Sequence, residues 1–221
     1  MVVDSALLPT LLNWGFGILY AFSLGTALRL APWRRLWEPE QAHVYFGAVL
    51  ILLFLWHLRV AVEPGLYFHL LGVTALTLMM GWSLAVLGTS LALVGVTFNT
   101  GGDWYSFPLN ALLGGVIPIS LTQILLILIR WYLPKHFFVF VLVNGFFTAG
   151  FVDILTAYLT TGLLVAGGAY SFSELSRDFL PFFPLMFLPE AVFNGWVVVV
   201  LVAYRPQWIY SFSDEQYLKR K

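Results

Sequence analysis

Cysteine is absent from all 221 residues, which removes disulfides, thiolate metal sites and cysteine nucleophiles together. Charge is almost as scarce. Asp, Glu, Lys and Arg make up 10% of the chain, against roughly 25% in soluble domains. A water-facing surface cannot be solvated with so little, so a soluble fold is excluded. The 11 basic and 11 acidic residues cancel, and no basic stripe exists to neutralise phosphates, which argues against a nucleic-acid partner. Catalytic motifs are missing too. There is no GxSxG nucleophile elbow, no HExxH helix and no GxxxxGK[ST] loop, so ATP hydrolysis by the P-loop route needs a separate chain. Asp153 and Glu190 are the only acids placed to form an intramembrane catalytic pair, and the chain is read as a non-enzyme.

What is present is apolar. Hydrophobic residues account for 60% of the chain, and several runs reach the roughly 20 residues that cross a hydrocarbon core. They cover Pro9 to Leu30, Ala42 to Val62, Leu66 to Phe98, Pro108 to Leu133, His136 to Val165 and Pro181 to Tyr204. Asp4 and no basic residue precede the first run, so it is expected to be a retained helix rather than a cleaved signal. The polar segment SFSELSRDFLP before the last run is expected as a loop or short interfacial helix. Period-two alternation is absent, which argues against a barrel. The expected fold is an all-α integral membrane protein, a single polytopic domain over residues 1–221.

Leu66–Phe98 is long for one crossing and short for two, and charge decides between them. Basic residues gather at Arg29, Arg34 and Arg35, at Arg130 and Lys135, and at Arg205 with Lys219, Arg220 and Lys221. The positive-inside rule puts all three clusters in the cytoplasm only if this run crosses twice, turning near Gly81 and Trp82. Each half would then have about 16 residues and rise roughly 24 Å. The expectation is about seven helices, the third and fourth short, with the N-terminus outside and the C-terminus inside.

That topology gathers Asp4, Glu63, His69, Asn99 and Asp103 near the outer face, with His57 towards it. Asp153 and Glu190 fall in the outer halves of their helices. The distribution suits capture of a small cation, although ordinary interfacial polar residues would give it as well. Ionisable groups inside a membrane cost roughly 2.5–3.5 kcal/mol on insertion scales. Asp153 and Glu190 must therefore be neutralised, paired or bound to a cation, and for Glu190 a hydrogen bond to a neighbouring helix, aided by the backbone group that Pro189 frees, would serve as well. His69 has the chemistry of a metal ligand, or of a packed, hydrogen-bonded core residue. The loop Asn99-Thr100-Gly101-Gly102-Asp103 has turn chemistry and the backbone freedom to wrap a ligand. Gly17, Ala21 and Gly25 form a small-residue stripe on the first helix that allows close helix approach.

The central block PGLYFHLLG, then NTGGDW, then SFPLNALLGGVIP resembles the CbiM/NikM-type family of substrate-capture permease subunits of energy-coupling-factor cobalt and nickel transporters. That family shows Pro-Gly and a histidine in GHLLGG, two short helices, a glycine-containing loop and an asparagine in NxFNMAxxG. The tail LPEAVFNGWVVVVLVAYRPQWI is similar to its closing helix, and DSALLP loosely matches its PDGFLSP. More narrowly, the chain looks like a divergent proteobacterial branch. The resemblance implies a bacterial inner-membrane protein that binds divalent cobalt or nickel as substrate, with no permanent cofactor. It implies a transmembrane coupling protein and ATPase subunits as partners, with Gly17, Ala21 and Gly25 as the coupling-protein contact. His69 would be a metal ligand, and Asn110 would support the loop over the site.

One departure matters. The family begins Met-His and uses that histidine and the terminal amine as ligands, whereas this chain has Val2. The expected ligand set is therefore His69 with Met1, and Asp4, His57 or Asp103, supported by Asn99, Asn110, Asp153 and Glu190. The competing reading is a structural or assembly membrane protein that keeps the fold and no longer binds metal.

Overall fold

The computed structural model describes residues 2–63 and 66–217, and six helices among them are long and apolar enough to cross a membrane. The chain opens with strand β1 (Val2–Val3) and helix α1 (Thr10–Leu30). Helix α2 (Pro39–His57) follows, with proline at its first turn, where the missing N–H costs nothing. Strands β2 (Val60–Glu63) and β3 (Leu66–Phe68) lead to a short helix α3 (Val73–Met80) and then to α4 (Trp82–Thr100). Helix α5 (Phe107–Tyr132) contains a π-helical turn at Leu112–Val116, and α6 (Val139–Ala166) begins as a π-helix over Val139–Phe147. The sixth span comprises a short α7 (Phe172–Asp178) and α8 (Phe183–Tyr204). Ser171 and Glu174 close a capping box on α7, so this polar segment is the short helix its composition suggested.

Two expectations need correction. The second apolar run does not stay helical to Val62, because Val60–Glu63 pairs as an edge strand. The strand order is β1-β3-β2, all antiparallel, with Val2 opposite Tyr67 and Val60 opposite Phe68. Strands this short leave no period-two signature, so the sequence pattern missed them. The Leu66–Phe98 run does break at Gly81, whose φ of 79° suits glycine. Its halves are unequal, however: α3 has 8 residues and α4 has 19. Of these two, only the third helix is short, because the sheet takes Leu66–Phe68 and α3 starts at Val73.

All eight residues of α3 are buried, and the larger hydrophobic core forms around it. Outward-facing Leu11, Trp14, Phe22, Phe54 and Phe98 are each more than 60% exposed, which an apolar solvent tolerates and water does not. The least buried of the six spans is α1.

Hydrogen bonds define two ends of the bundle. At one end the sheet lies against the Gly101–Ser106 loop. At the other, Arg35 donates to the Met79 carbonyl (3.0 Å) and the Trp208 carbonyl (3.3 Å). The Tyr210 N–H donates to Met79 O and the Ser211 N–H to Leu78 O, while Arg130 donates to the Ser211 carbonyl. Phe140, Phe212 and Tyr217 pack ring against ring there. The chain thus begins at the sheet end, and its last described segment seals the arginine end.

Candidate metal-capture site

The site is organised by the start of α3. The first N–H groups of a helix have no partner within it, and here α8 supplies them. Both carboxylate oxygens of Glu190 accept at 2.8 Å, one from the Leu71 N–H and one from the Gly72 N–H. Asn194, one turn further along α8, accepts from the Ala75 N–H and donates to Glu190 Oε1, each at 2.8 Å. An acid at this position also complements the positive end of the helix dipole. Asp153, half-buried on α6, lies within electrostatic range of Glu190. Gly72 takes φ 67°, which strains any other residue, and a Cβ there would stand 2.8 Å from Leu52 Cδ2, whose side chain would have to shift.

This capping fixes His69, three residues ahead. The ring is 5% exposed, tilted against Trp56 at 5.4 Å between centroids. Trp56 is itself held by a bond from its indole N–H to the Leu71 carbonyl (2.9 Å). His69 Nδ1 lies 2.9 Å from the Leu70 carbonyl. A carbonyl only accepts, so Nδ1 carries a proton. Metal-binding histidines are oriented by a bond of this kind.

The N-terminal segment is tied down beside it. Asn110 accepts from the Val3 N–H (2.8 Å) and donates to the Val3 carbonyl (2.9 Å). Ser106 accepts from the Ser5 N–H (2.9 Å), and Asn13 donates to the Ser5 carbonyl (2.9 Å). These bonds hold β1 on β3, with Val2 opposite Tyr67, two positions before His69.

The remaining candidates separate. Asp4 is exposed and accepts from the Ala6 N–H, capping a helical turn at Ser5–Leu7. Asp103, also exposed, accepts from the Tyr105 N–H (2.9 Å) and the Ser106 hydroxyl (3.1 Å). The Tyr105 N–H bond, helped by Ser106 and Ser5, holds its carboxyl below the usual range against the opposing effect of desolvation. Asp4, Asp103 and Asn110 share a polar pocket of about 220 Å³, which His69 does not line. His57 ends α2 with its ring exposed, and Asn99 is exposed on the last turn of α4. Met1 lies outside the described residues. Among those described, no three His, Cys, Asp or Glu side chains are grouped to hold a metal. Nothing within 4 Å would meet a Cβ added at Gly17 or Gly25, and Ala21 is exposed, so among the described residues nothing else packs closely on this stripe.

His69 instead lines a cavity of about 720 Å³ between the β2–β3 sheet and the α7–α8 junction, with Arg177 on its wall. Sequence reasoning did not single out Trp56, Ser5, Ser106 or Arg177. Ser106 had a usable signal, lying one helical turn before Asn110; the others had none in the linear pattern.

A helical bundle with apolar side chains turned outward and polar groups collected at its two ends defines a multi-pass membrane protein. The chain belongs to the CbiM family, the cobalt uptake substrate-specific transmembrane region, which it matches over residues 4–208. No curated protein gives a significant match. Membership makes it a component of a cobalt-uptake transporter that works with other subunits in a membrane complex.

Proposed function

We propose that this chain is the substrate-capture permease subunit of an energy-coupling-factor transporter in the bacterial inner membrane, binding a divalent cobalt- or nickel-type ion at its outer face. The sheet end faces out and the arginine end faces the cytoplasm, as the positive-inside rule asks of Arg34, Arg35, Arg130 and Arg205. With α3 as a seventh, sub-length pass, the two termini fall on opposite sides. ATP is hydrolysed by separate subunits, coupled through a transmembrane partner that packs on Gly17, Ala21 and Gly25.

The observation that carries this reading is His69. It is 5% exposed, with Nδ1 committed to the Leu70 carbonyl and its ring on a cavity wall. Asn110, Glu190 and Asp153 act as supports, the first by tying down β1 and the other two around the start of α3. Titration of purified protein with Ni²⁺ and Co²⁺ tests it. Saturable binding is expected, weakened about tenfold or more in His69→Ala; equal affinity in the variant refutes His69 as ligand.

A second reading has its own support. Val2 replaces the family's histidine, and no three-group cluster is present among the described residues. A chain that keeps the fold for assembly alone would bind neither ion at any concentration that leaves it folded.

A further inference from the structure

A groove of about 670 Å³ runs between α2 and α8, with α3 as its floor. Gly47, Ala48 and Ile51 line it from α2, and Phe193, Val197 and Leu201 line it from α8. A Cβ added at Gly47 would meet nothing within 4 Å, so the groove is open there. Its polar side chains, among the described lining residues, are Glu40, His43 and Trp208. Glu40 and His43 lie in the first turns of α2, and Trp208 lies just past α8, so all three sit at the arginine end.

The dimensions select the occupant. From Glu40 to Leu52 the α2 wall rises about 18 Å, close to the roughly 15 Å of one leaflet's hydrocarbon. Spread over that length, the volume is a channel about 7 Å wide, which does not admit a helix about 10 Å across. A narrow apolar groove with polar groups at one end only has the shape of an amphiphile.

The polar end narrows the choice of head. Glu40 Oε1 accepts from the Trp208 indole N–H at 2.7 Å. Arg205 follows Leu201 by four residues and is exposed, with its guanidinium over the same indole, 5.7 Å from the ring centroid. One tryptophan therefore holds a carboxylate and a guanidinium beside each other. The carboxylate has lone pairs for a further donor, and the guanidinium fork matches a phosphate. Opposite charges at one mouth suit a head that carries both signs.

We propose that this groove holds one phospholipid with a primary-ammonium head, of the phosphatidylethanolamine kind. One acyl chain lies along α3 between Gly47 and Val197, the phosphate meets Arg205, and the ammonium donates to Glu40. The lipid fills the gap that the short α3 leaves between α2 and α8. It is bound and not transformed. The site is separate from His69, and the proposal does not depend on the metal-capture reading.

The test uses the full chain, stripped of lipid in detergent, and native mass spectrometry. The probes are phosphatidylethanolamine, phosphatidylglycerol and phosphatidylcholine with the same acyl chains. The first has phosphate and N–H donors, the second no ammonium, and the third an ammonium without N–H. Phosphatidylethanolamine should bind about tenfold tighter than either. Glu40→Gln, which keeps an acceptor for Trp208, should abolish that preference. Arg205→Gln should weaken all three about tenfold. Gly47→Trp, or Gly47→Leu as the milder filling, should lower retention of every lipid. Thermal unfolding of each variant separates lost binding from lost folding.

Equal retention of the three lipids, or a preference that survives Glu40→Gln, would overturn the proposal. So would Arg205→Gln without effect, or no lipid retained by folded protein. If Gly47→Trp instead releases another transporter subunit and leaves lipid retention unchanged, the groove belongs to a partner helix and the proposal falls. None of these results alters the Ni²⁺ and Co²⁺ titration, so the two readings fail separately.

Discussion

Asn110 and Val3 are joined twice, the side-chain amide of one accepting from and donating to the backbone of the other at 2.8 and 2.9 Å. Both partners are buried, so the pair works as a two-point clamp that sets the register of β1 on β3. Asn110→Ala leaves a buried N–H and carbonyl unsatisfied, each costing about 1–3 kcal/mol. The expected result is a lower unfolding temperature and faster amide exchange at Val3 and Ser5. Asn110→Asp keeps the acceptor and loses the donor, and should fall between the two. Unchanged exchange at Val3 in Asn110→Ala would remove the clamp from the argument.

Glu190 is a cap before it is anything else. Glu190→Gln turns one acceptor oxygen into a donor facing an N–H, and should destabilise by about 2 kcal/mol. Glu190→Ala should cost more, since both N–H groups lose their partner. Amide exchange at Leu71 and Gly72 reads the effect locally. If those amides stay protected in Glu190→Ala, α3 is capped by another group.

Asp103 gives a pH dependence with a definite sign. Its folded carboxyl titrates below the unfolded value, first because of the Tyr105 N–H. The stability it adds is therefore present above the ordinary Asp value of about 3.9, and is lost as pH falls through the lower folded value. The Tyr105 and Ser106 amides should exchange faster at the acid end of that window. Asp103→Asn should show fast exchange at every pH and no dependence across it.

Gly17→Leu combined with Gly25→Leu adds bulk where a Cβ now meets nothing. The unfolding temperature of the isolated chain should stay within a few degrees of the parent, as expected at sites without internal contacts. Recovery of the other transporter subunits by affinity purification of this chain should drop severalfold. Normal recovery would move the partner contact off this stripe.

Composition made the membrane, and most of its crossings, legible, because runs of about 20 apolar residues have few other uses. The break at Gly81 was legible as well, from the charge balance on either side of it. Where α3 begins was not. That boundary is set by Glu190 and Asn194, more than a hundred positions away, and no local propensity announces them. The same holds for the sheet: Val2, Val3 and Leu66–Phe68 pair because Asn110 and Ser106 hold the N-terminal segment in place. His69 stood out as a polar residue in an apolar run, but Trp56, against which its ring packs, did not. Asp4, Asp103 and His57 were grouped with it by their shared end of the bundle, which says nothing about the distances within that end. Arg177 reached the cavity wall on the short helix that composition allowed for, though nothing in the linear pattern aimed it there.

The shortness of α3 has an electrical meaning. Eight residues rise about 12 Å, where a bilayer core is about 30 Å thick. Glu190 enters from one side to the first turn and Arg35 from the other to the Met79 carbonyl. With α3 as the sub-length pass proposed above, the insulating layer between these polar groups would be thinnest here, and a membrane voltage would be concentrated across this one helix. The energy for one charge to cross is unchanged, about 2.3 kcal/mol per 100 mV, but it is delivered over less than half the usual distance. On the proposed capture reading, a cation crossing beside α3 would meet its steepest driving force where the protein wall is least deep.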